Sequence, residues 1–578
     1  MKNKLIFFTI LTGLLFTACN SLDLNPLSEG SSESWYSSDT EVQMSLDRLY
    51  VLRYWNPNPD PINWDNCAWL DYWSDDFTNR TNVSPVIGGT INGQTSAVIN
   101  LWKYYYECIA ASNLVIEKVE QNKAKFTEAN YNRYIADARF VRACQYSFLI
   151  FRWGDVPFFT KTLTVDESFQ LGRTAKAEIL KSIYSDFDFA AANLPQTYSS
   201  GSKHATKGAA YAMKARIALY MGDYATARDA AKACIDLNQY QLLSDFGTVF
   251  LAKTKNSKEM VFGIPRSVAL NVFIGTGQAA QPMPRVNNGN DYVQPSWELF
   301  NAFLCTDGKQ IDESPLYDPR NPFKNRDPRC NATIVEFGTP FCGYIYQPHP
   351  DSLTTRNVST GVRVANKDSR GVDQYASFNA LAFLKGIDDD WAKERKPEHD
   401  QIVIRYADVL LIYAEAKIEL GGSQIDQSVL DAINKVRARA YKTDYTQTSK
   451  YPAVTTTSQT ELRKILRWER RMEFAFEGLR NPDIIRWKLA EKVLNTTMYG
   501  MIDPPEQRTK IIQKGLWFFP EVVPVDDDGV SDFSSLYSKG YIKILAQRSF
   551  DKSKHYLWPL PSSELLINPN LKPDNPGY

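Results

Sequence analysis

The sequence predicts a mostly α-helical protein in which helical hairpins pack against a loop-rich, irregular half. Three observations carry this. Ala205 to Leu237 repeats small apolar residues on either side of Gly222-Asp223, the pattern of two helices packed closely. Glu128 to Arg152 is apolar on both sides, which places it inside a bundle. Between about 265 and 400, prolines at 282, 284, 295, 315, 319, 322, 328, 340, 348 and 350 stop any long helix.

The chain opens with Lys2 and Lys4, then the apolar run Leu5 to Phe16. That run is too short to span a membrane, which takes about 20 apolar residues, and it reads as a secretory signal. Phe16-Thr17-Ala18-Cys19 forms a bacterial lipobox, with Phe where Leu is commonest. The expectation is a signal peptide over 1–18, lipidation at Cys19, and a tether over 19–35 rich in Ser, Asn, Glu and Gly. Two or more acyl chains would hold such a protein stably on a membrane. An ordinary cleaved signal with an incidental cysteine is the alternative. Residues 36–578 read as a single domain: a helical hairpin half mainly over 36–260, a loop-rich insertion over about 265–400, and C-terminal helices with an extended tail over 401–578.

Helical periodicity starts near Asp39, with Val42, Leu46, Leu49 and Tyr50 on the buried face. Arg53 to Gly93 interrupts it and carries Tyr54, Trp55, Trp64, Trp69, Tyr72 and Trp73 among Pro, Asn and Asp. So many rings do not fit disorder, and a loop this long points to function. Helices resume at Leu101. In the next, Tyr131, Ile135, Ala138 and Leu149 share one face, with Phe140, Cys144 and Phe151 opposite; Trp153-Gly154-Asp155-Val156-Pro157 ends it. In the small-residue hairpin, Ala212, Ala215, Ala218 and Leu219 face Ala227, Ala230, Ala231 and Ala233. This resembles a tetratricopeptide repeat, with Thr174 to Leu194 and Leu101 to Val119 as degenerate partners. A second hairpin is expected from Ile402 to Ala440, broken at Gly421-Gly422. A long helix follows from Thr460 to Gly478, then Asn481-Pro482-Asp483 and a short helix through Trp487. The tail from Leu557 reads as extended and packed back on the fold.

Charge is balanced, with 66 basic and 66 acidic residues, so no electrostatic footprint for nucleic acid exists. The four histidines, at 204, 349, 399 and 555, never take metal-ligand spacing, and HExxH, GxSxG and P-loop motifs are absent. No metal or cofactor is expected. With Cys19 lipidated, seven cysteines remain; Cys305, Cys330 and Cys342 share the loop-rich region, where a disulfide is possible in an oxidising compartment. Asp526-Asp527-Asp528-Gly529 and Asp388-Asp389-Asp390 match no complete calcium loop and read as solvated acidic turns. Glu469 and Glu473 fall within the apolar stripe of their helix, one turn apart. A glycosidase pair is conceivable, but buried charges must be paired. A structural ion-pair network is the reading taken, with Arg142, Arg216 and Arg437 as candidate partners.

The chain holds 13 Trp, 31 Tyr and 30 Phe, many in polar surroundings. Sugar rings pack their C–H faces on aromatic rings, while their hydroxyls bond Asn, Asp and Arg. Two clusters offer both kinds of group: Trp69, Tyr72, Trp73, Asp75, Asn79 and Arg80, and Tyr292 with Trp297 beside Asn290 and Asp291. These are the candidate ligand-binding residues; none is catalytic.

Several segments resemble the SusD/RagB family of outer-membrane lipoproteins. They are Cys19 with Leu22-Asp23-Leu24-Asn25-Pro26; Ala138-Arg139-Phe140-Val141-Arg142-Ala143 leading into Trp153-Gly154-Asp155-Val156-Pro157; Arg405-Tyr406-Ala407-Asp408 through Tyr413-Ala414-Glu415-Ala416; Glu469-Arg470-Arg471-Met472-Glu473-Phe474-Ala475-Phe476-Glu477-Gly478; and Leu557-Trp558-Pro559-Leu560-Pro561 with Asn568-Pro569-Asn570-Leu571 and Asn575-Pro576-Gly577-Tyr578. They stand in family order along essentially the whole chain. Asn481-Pro482-Asp483 departs from it where many members have an aromatic after the Arg. The resemblance implies a SusD-like fold without catalysis, anchored at the outer membrane and facing outward. It also implies a lid over a SusC-like TonB-dependent transporter that captures oligosaccharides for import. The shared motifs are structural and pass on no binding residues. The other readings are a tetratricopeptide-type envelope scaffold and a surface glycosidase.

Overall fold

The computed structural model describes residues 35–55, 71–198 and 203–578. The signal sequence, Cys19, most of the tether and the candidate ligand residue Trp69 lie outside the described residues.

The longer helices are α1 (Asp39–Asp47), α2 (Ser96–Gln121), α3 (Glu128–Trp153), α4 (Lys176–Asn193), α5 (Lys207–Tyr220), α6 (Tyr224–Asp236), α7 (Tyr406–Leu420), α8 (Gln427–Ala440), α9 (Gln459–Phe474) and α10 (Arg480–Arg486). Each of α2 to α8 packs on its successor in chain order, so the expected hairpins form one array. The small residues explain the close approach of α5 and α6: Ala212, Ala215, Ala218, Ala227 and Ala231 are fully buried between them and their neighbours. Local chemistry sets the ends. Thr127 accepts from the Asn130 amide at the start of α3, and Gly154, at φ 72°, stops it. Asp223 caps α6 through the Thr226 amide. α3 is buried on nearly all sides, as its two apolar faces require.

Four strands matter below: β1 (Phe77–Thr78), β2 (Met260–Ile264), β3 (Gln294–Pro295) and β4 (Gln401–Arg405). β2 and β4 pair antiparallel, so the second hairpin starts at Tyr406, not Ile402. The run Ile402-Val403-Ile404 is β-branched and takes extended backbone in preference to the helix expected there. The tail packs back as expected. The Trp558 amide donates to Arg152 O at 2.8 Å and the Trp153 indole to Pro559 O at 2.8 Å. A short helix, Ser562–Ile567, interrupts its extended course.

The loop-rich half has its own core, distinct from that of the hairpins. Trp297, Phe300, Phe303, Leu381, Phe518 and Phe519 are among its members. α9 lies between the two cores: Leu462, Leu466 and Phe474 face the helical one, and Trp468 and Met472 face the other. Its charged residues are buried in the seam. Glu469 accepts from Arg329 at 2.7 Å and Arg437 at 2.8 Å. Glu473 accepts from Arg329 at 3.0 Å, Arg405 at 2.6 Å and Arg439. Of the expected partners only Arg437 reaches them; Arg142 bonds Asp186 and Arg216 bonds Asp408. Both glutamates have no exposed side-chain surface, so no sugar reaches them as a glycosidase would require.

Among the described residues no disulfide forms, and Cys305, Cys330 and Cys342 are buried. The acidic turn at 526–529 is held by lysines: Lys492 bonds Asp526 and Asp528, and Lys464 bonds Asp527.

Burial opposes ionisation of Glu473, but Arg439, Arg405 and Arg329 outweigh it and bring its pKa from 4.5 to about 2. Its stabilisation is therefore present above about pH 4.5 and lost as pH falls toward 2. Glu473→Gln leaves the three guanidiniums short of one buried charge. Denaturant unfolding at neutral pH is expected to show a loss of about 3–5 kcal/mol; a change below about 1 kcal/mol would refute the tie.

Candidate functional site

The two aromatic clusters, more than two hundred residues apart in sequence, meet in space. β1 pairs antiparallel with β3, with Phe77 opposite Pro295 and Thr78 opposite Gln294. Ser296 locks the junction: its amide donates to Asp76 O at 3.0 Å and its hydroxyl to Asp75 O at 2.6 Å.

Most of the candidate residues at this junction face inward. Trp73 is 3% exposed and meets Trp558 edge-on, with ring centres 5.1 Å apart. Trp297, also 3% exposed, donates its indole N–H to Asn379 O at 2.9 Å and packs on Phe519 and Phe533. Neither offers a face to a sugar. Trp73 fills the helical core, and Trp297 fills that of the irregular half, where single large rings in polar stretches replace the apolar stripes of long helices. That is why rings among Asn and Pro were misread as surface. Asp75 is likewise structural. It accepts from Arg480 through both oxygens at 2.8 Å and from Arg471 at 2.9 Å. Burial resists its ionisation, but Arg480 and Arg471 overcome that and hold it well below the carboxylate range. Asn79 is 1% exposed, and no partner meets either end of its amide. It does not face solvent.

Tyr72, Arg80 and Tyr292 remain partly exposed. Tyr72 stands edge-on to Phe77 at 5.1 Å and touches both cores. Arg80, at φ 47°, follows β1 and crosses to the other loops. Its Nη2 donates to Asn290 O at 2.8 Å and to Tyr375 O at 2.9 Å. Its guanidinium carbon lies 5.8 Å from the Tyr292 ring centre and 5.3 Å from that of Tyr375. Tyr375 is 50% exposed. On the other side of that ring cluster, Arg285 lies 5.7 Å from the Tyr375 centre and donates to Asp373 at 2.9 and 3.2 Å. Arg80, Tyr292, Tyr375 and the Arg285–Asp373 pair thus form one polar-aromatic surface from three loops. Arg285, Asp373 and Tyr375 escaped the sequence reading. Tyr375 does sit in a polar stretch like the other candidates, but nothing in the sequence links it to Arg80.

Beneath this surface lie two buried acids. Burial, reinforced by the Asp368 charge, raises Asp291 to about 8; burial raises Asp368 to about 7. Among the described residues, no hydrogen bond of normal geometry reaches either carboxylate oxygen of Asp291. Among the described residues no cluster suited to a metal ion occurs.

The architecture and this surface define a class: a helical-hairpin scaffold that presents a loop-built, aromatic and polar surface. The chain belongs to the SusD family, whose model matches residues 269–578; a second model, described as starch-binding associating with outer membrane, matches residues 25–219. It is 26% identical over 531 residues to the SusD-like protein P25 of Formosa agariphila, covering 87% of this chain and 93% of that one. It is 23% identical over 482 residues to the starch-binding protein SusD of Bacteroides thetaiotaomicron, covering 78% and 79% respectively. The crystal structure of a SusD-like carbohydrate binding protein from Bacteroides fragilis superposes with a TM-score of 0.77 at 27% identity, over 93% of this chain and all of that one. No helix among the described residues is long and apolar enough to cross a membrane.

Asp291 tests the electrostatics of the site. Its folded pKa lies above its unfolded one, so the stability it lends at low pH is lost as pH rises through about 8. Asp291→Asn removes that loss. The variant's melting temperature relative to the parent is expected to rise steadily from about pH 5 to about pH 8.5. A difference that stays flat or shrinks would sink the assignment.

Proposed function

We propose that this protein binds glycans at the bacterial cell surface and delivers them to a SusC-like TonB-dependent outer-membrane transporter. A lipid on Cys19 would hold it there. The observation that carries this reading is the superposition, across nearly the whole chain, on a protein described as carbohydrate binding. The loop face supports it. Sugar C–H faces stack on phenol rings, and the exposed ring of Tyr375 beside Tyr292 and Arg80 supplies a ring and donors together. Tyr72 and Tyr292 remain ligand candidates from the sequence; Tyr375 joins them. The protein acts by binding and handover, with no bond made or broken.

Affinity electrophoresis and calorimetry against a polysaccharide panel test the glycan part. At least one glycan is expected to bind, and Tyr375→Ala to weaken it about tenfold without shifting the melting temperature. Silence toward every glycan, with binding to peptide instead, would overturn it. Membrane fractionation of the native host, followed by pull-down, tests the partner; recovery without a TonB-dependent transporter would remove the delivery step.

A further inference from the structure

This inference rests on the glycan-binding reading and adds the class of glycan. The buried arginines around α9 are matched to carboxylates: Arg329 to Asp327, Arg405 to Glu477, Arg470 to Asp483, Arg471 to Asp76, and Arg480 to Asp75. Arg80 breaks the pattern. No ion pair joins it to a carboxylate among the described residues, and its protein hydrogen bonds run from Nη2 to the carbonyls of Asn290 and Tyr375. Its Nε is closed off without a partner. Nη1 bonds no protein group, yet it is not among the atoms sealed from water. The contrast extends to its proton affinity: burial lowers the pKa of Arg80, while the carboxylates around Arg329 and Arg405 outweigh burial and raise theirs.

The nearby acids do not neutralise it. Asp373 is taken by Arg285 through two hydrogen bonds. Asp291 is held largely protonated at neutral pH, and Asp368 partly so. What remains is one fixed positive charge that no carboxylate among the described residues pairs with, between two tyrosine rings, one of them half exposed. A neutral sugar needs no such charge. An anionic substituent gains a charge-assisted hydrogen bond, roughly twice as strong as a neutral one, and supplies the pairing found for the arginines around α9.

We propose that Arg80 makes this face selective for glycans bearing an anionic group, a uronate carboxylate or a sulfate ester. The sugar ring stacks on Tyr375, and the anionic oxygen accepts from Nη1 of Arg80.

The test uses the full chain and glycans in matched pairs. Oligogalacturonides are set against their methyl esters, and sulfated galactan oligosaccharides against the desulfated forms. Calorimetry is expected to show one charged member binding about tenfold or more tighter than its uncharged twin. That gap should narrow as salt rises from about 0.1 to about 0.5 M. The pair that shows the gap tells carboxylate from sulfate. Arg80→Gln is expected to close it, and Arg80→Lys, which keeps the charge, to retain part of it. Melting curves of both variants establish that they fold; should Arg80→Gln not fold, the salt response and the lysine variant decide. Charged and uncharged twins binding alike would overturn this inference and leave the glycan reading intact. A gap that survives Arg80→Gln would also overturn it. No binding to any glycan, charged or neutral, would remove both.

Discussion

The structure depends on burying the charges of α9 without leaving any of them alone. Glu469, Arg470 and Arg471 point to successive sides of the helix, and Glu473 returns to the side of Glu469, as a turn of about 100° per residue dictates. Glu469 and Glu473 reach Arg329 in the loop-rich half, Arg437 and Arg439 on α8, and Arg405 at the end of β4. Arg470 reaches Asp408 on α7, which also holds Arg216 of α5. Arg471 reaches Asp75 and Asp76 before β1. Taking so many charges out of water costs more than a single pair returns, and the arrangement holds only when every partner is present. We therefore see the network as fixing which elements meet, while the apolar cores supply most of the driving force.

That constraint reaches the recognition face through a short path. Asp75 and Asp76 are anchored by Arg471 and Arg480, Ser296 is anchored to the carbonyls of the same two residues, and β1 and β3 pair directly after. Arg80 comes two residues beyond β1, and the 290–292 loop just before β3. A loop-built surface lacks the repeating hydrogen bonds of a helix or sheet. Here the missing regularity is replaced by side chains that satisfy particular backbone atoms, as Arg80 does for Asn290 and Tyr375 and Asn379 for Pro295. The polar residues in these loops were legible as important. Their role, however, is divided between holding the face and forming it.

The helical half was readable because its physics is local. Spacing of Ala212, Ala215 and Ala218, the Gly222-Asp223 break and the Gly154 stop each act within a turn or two, so sequence order carries them directly. Ion pairing of Glu469 and Glu473 was readable as a necessity from burial, but not its partners, since Arg329, Arg405 and Arg439 are defined only once distant segments fold together. The aromatic clusters show the limit most clearly. Composition singled out two segments, and β pairing brings them to one place. Composition could not tell Trp73, which packs in the helical core, and Trp297, which fills the second, from Tyr292, which stays partly exposed. The polar neighbours that suggested a surface belong to backbone turns around a buried ring. Tyr375 is the converse case: its position beside Arg80 comes from a carbonyl contact across nearly three hundred residues.

The order of the face follows from the same chemistry. Tyrosine has few torsions to freeze, and Arg80 is held by two carbonyls before any ligand arrives. A ligand bound there would leave little further conformational freedom to be lost. A guanidinium in that position is the costly choice, because burial disfavours its charge and outweighs the attraction of nearby Asp291 and Asp373. In a chain that matches the buried arginines of its central helix so thoroughly, a charge left open beside an exposed ring is best accounted for by a partner that comes from outside the protein.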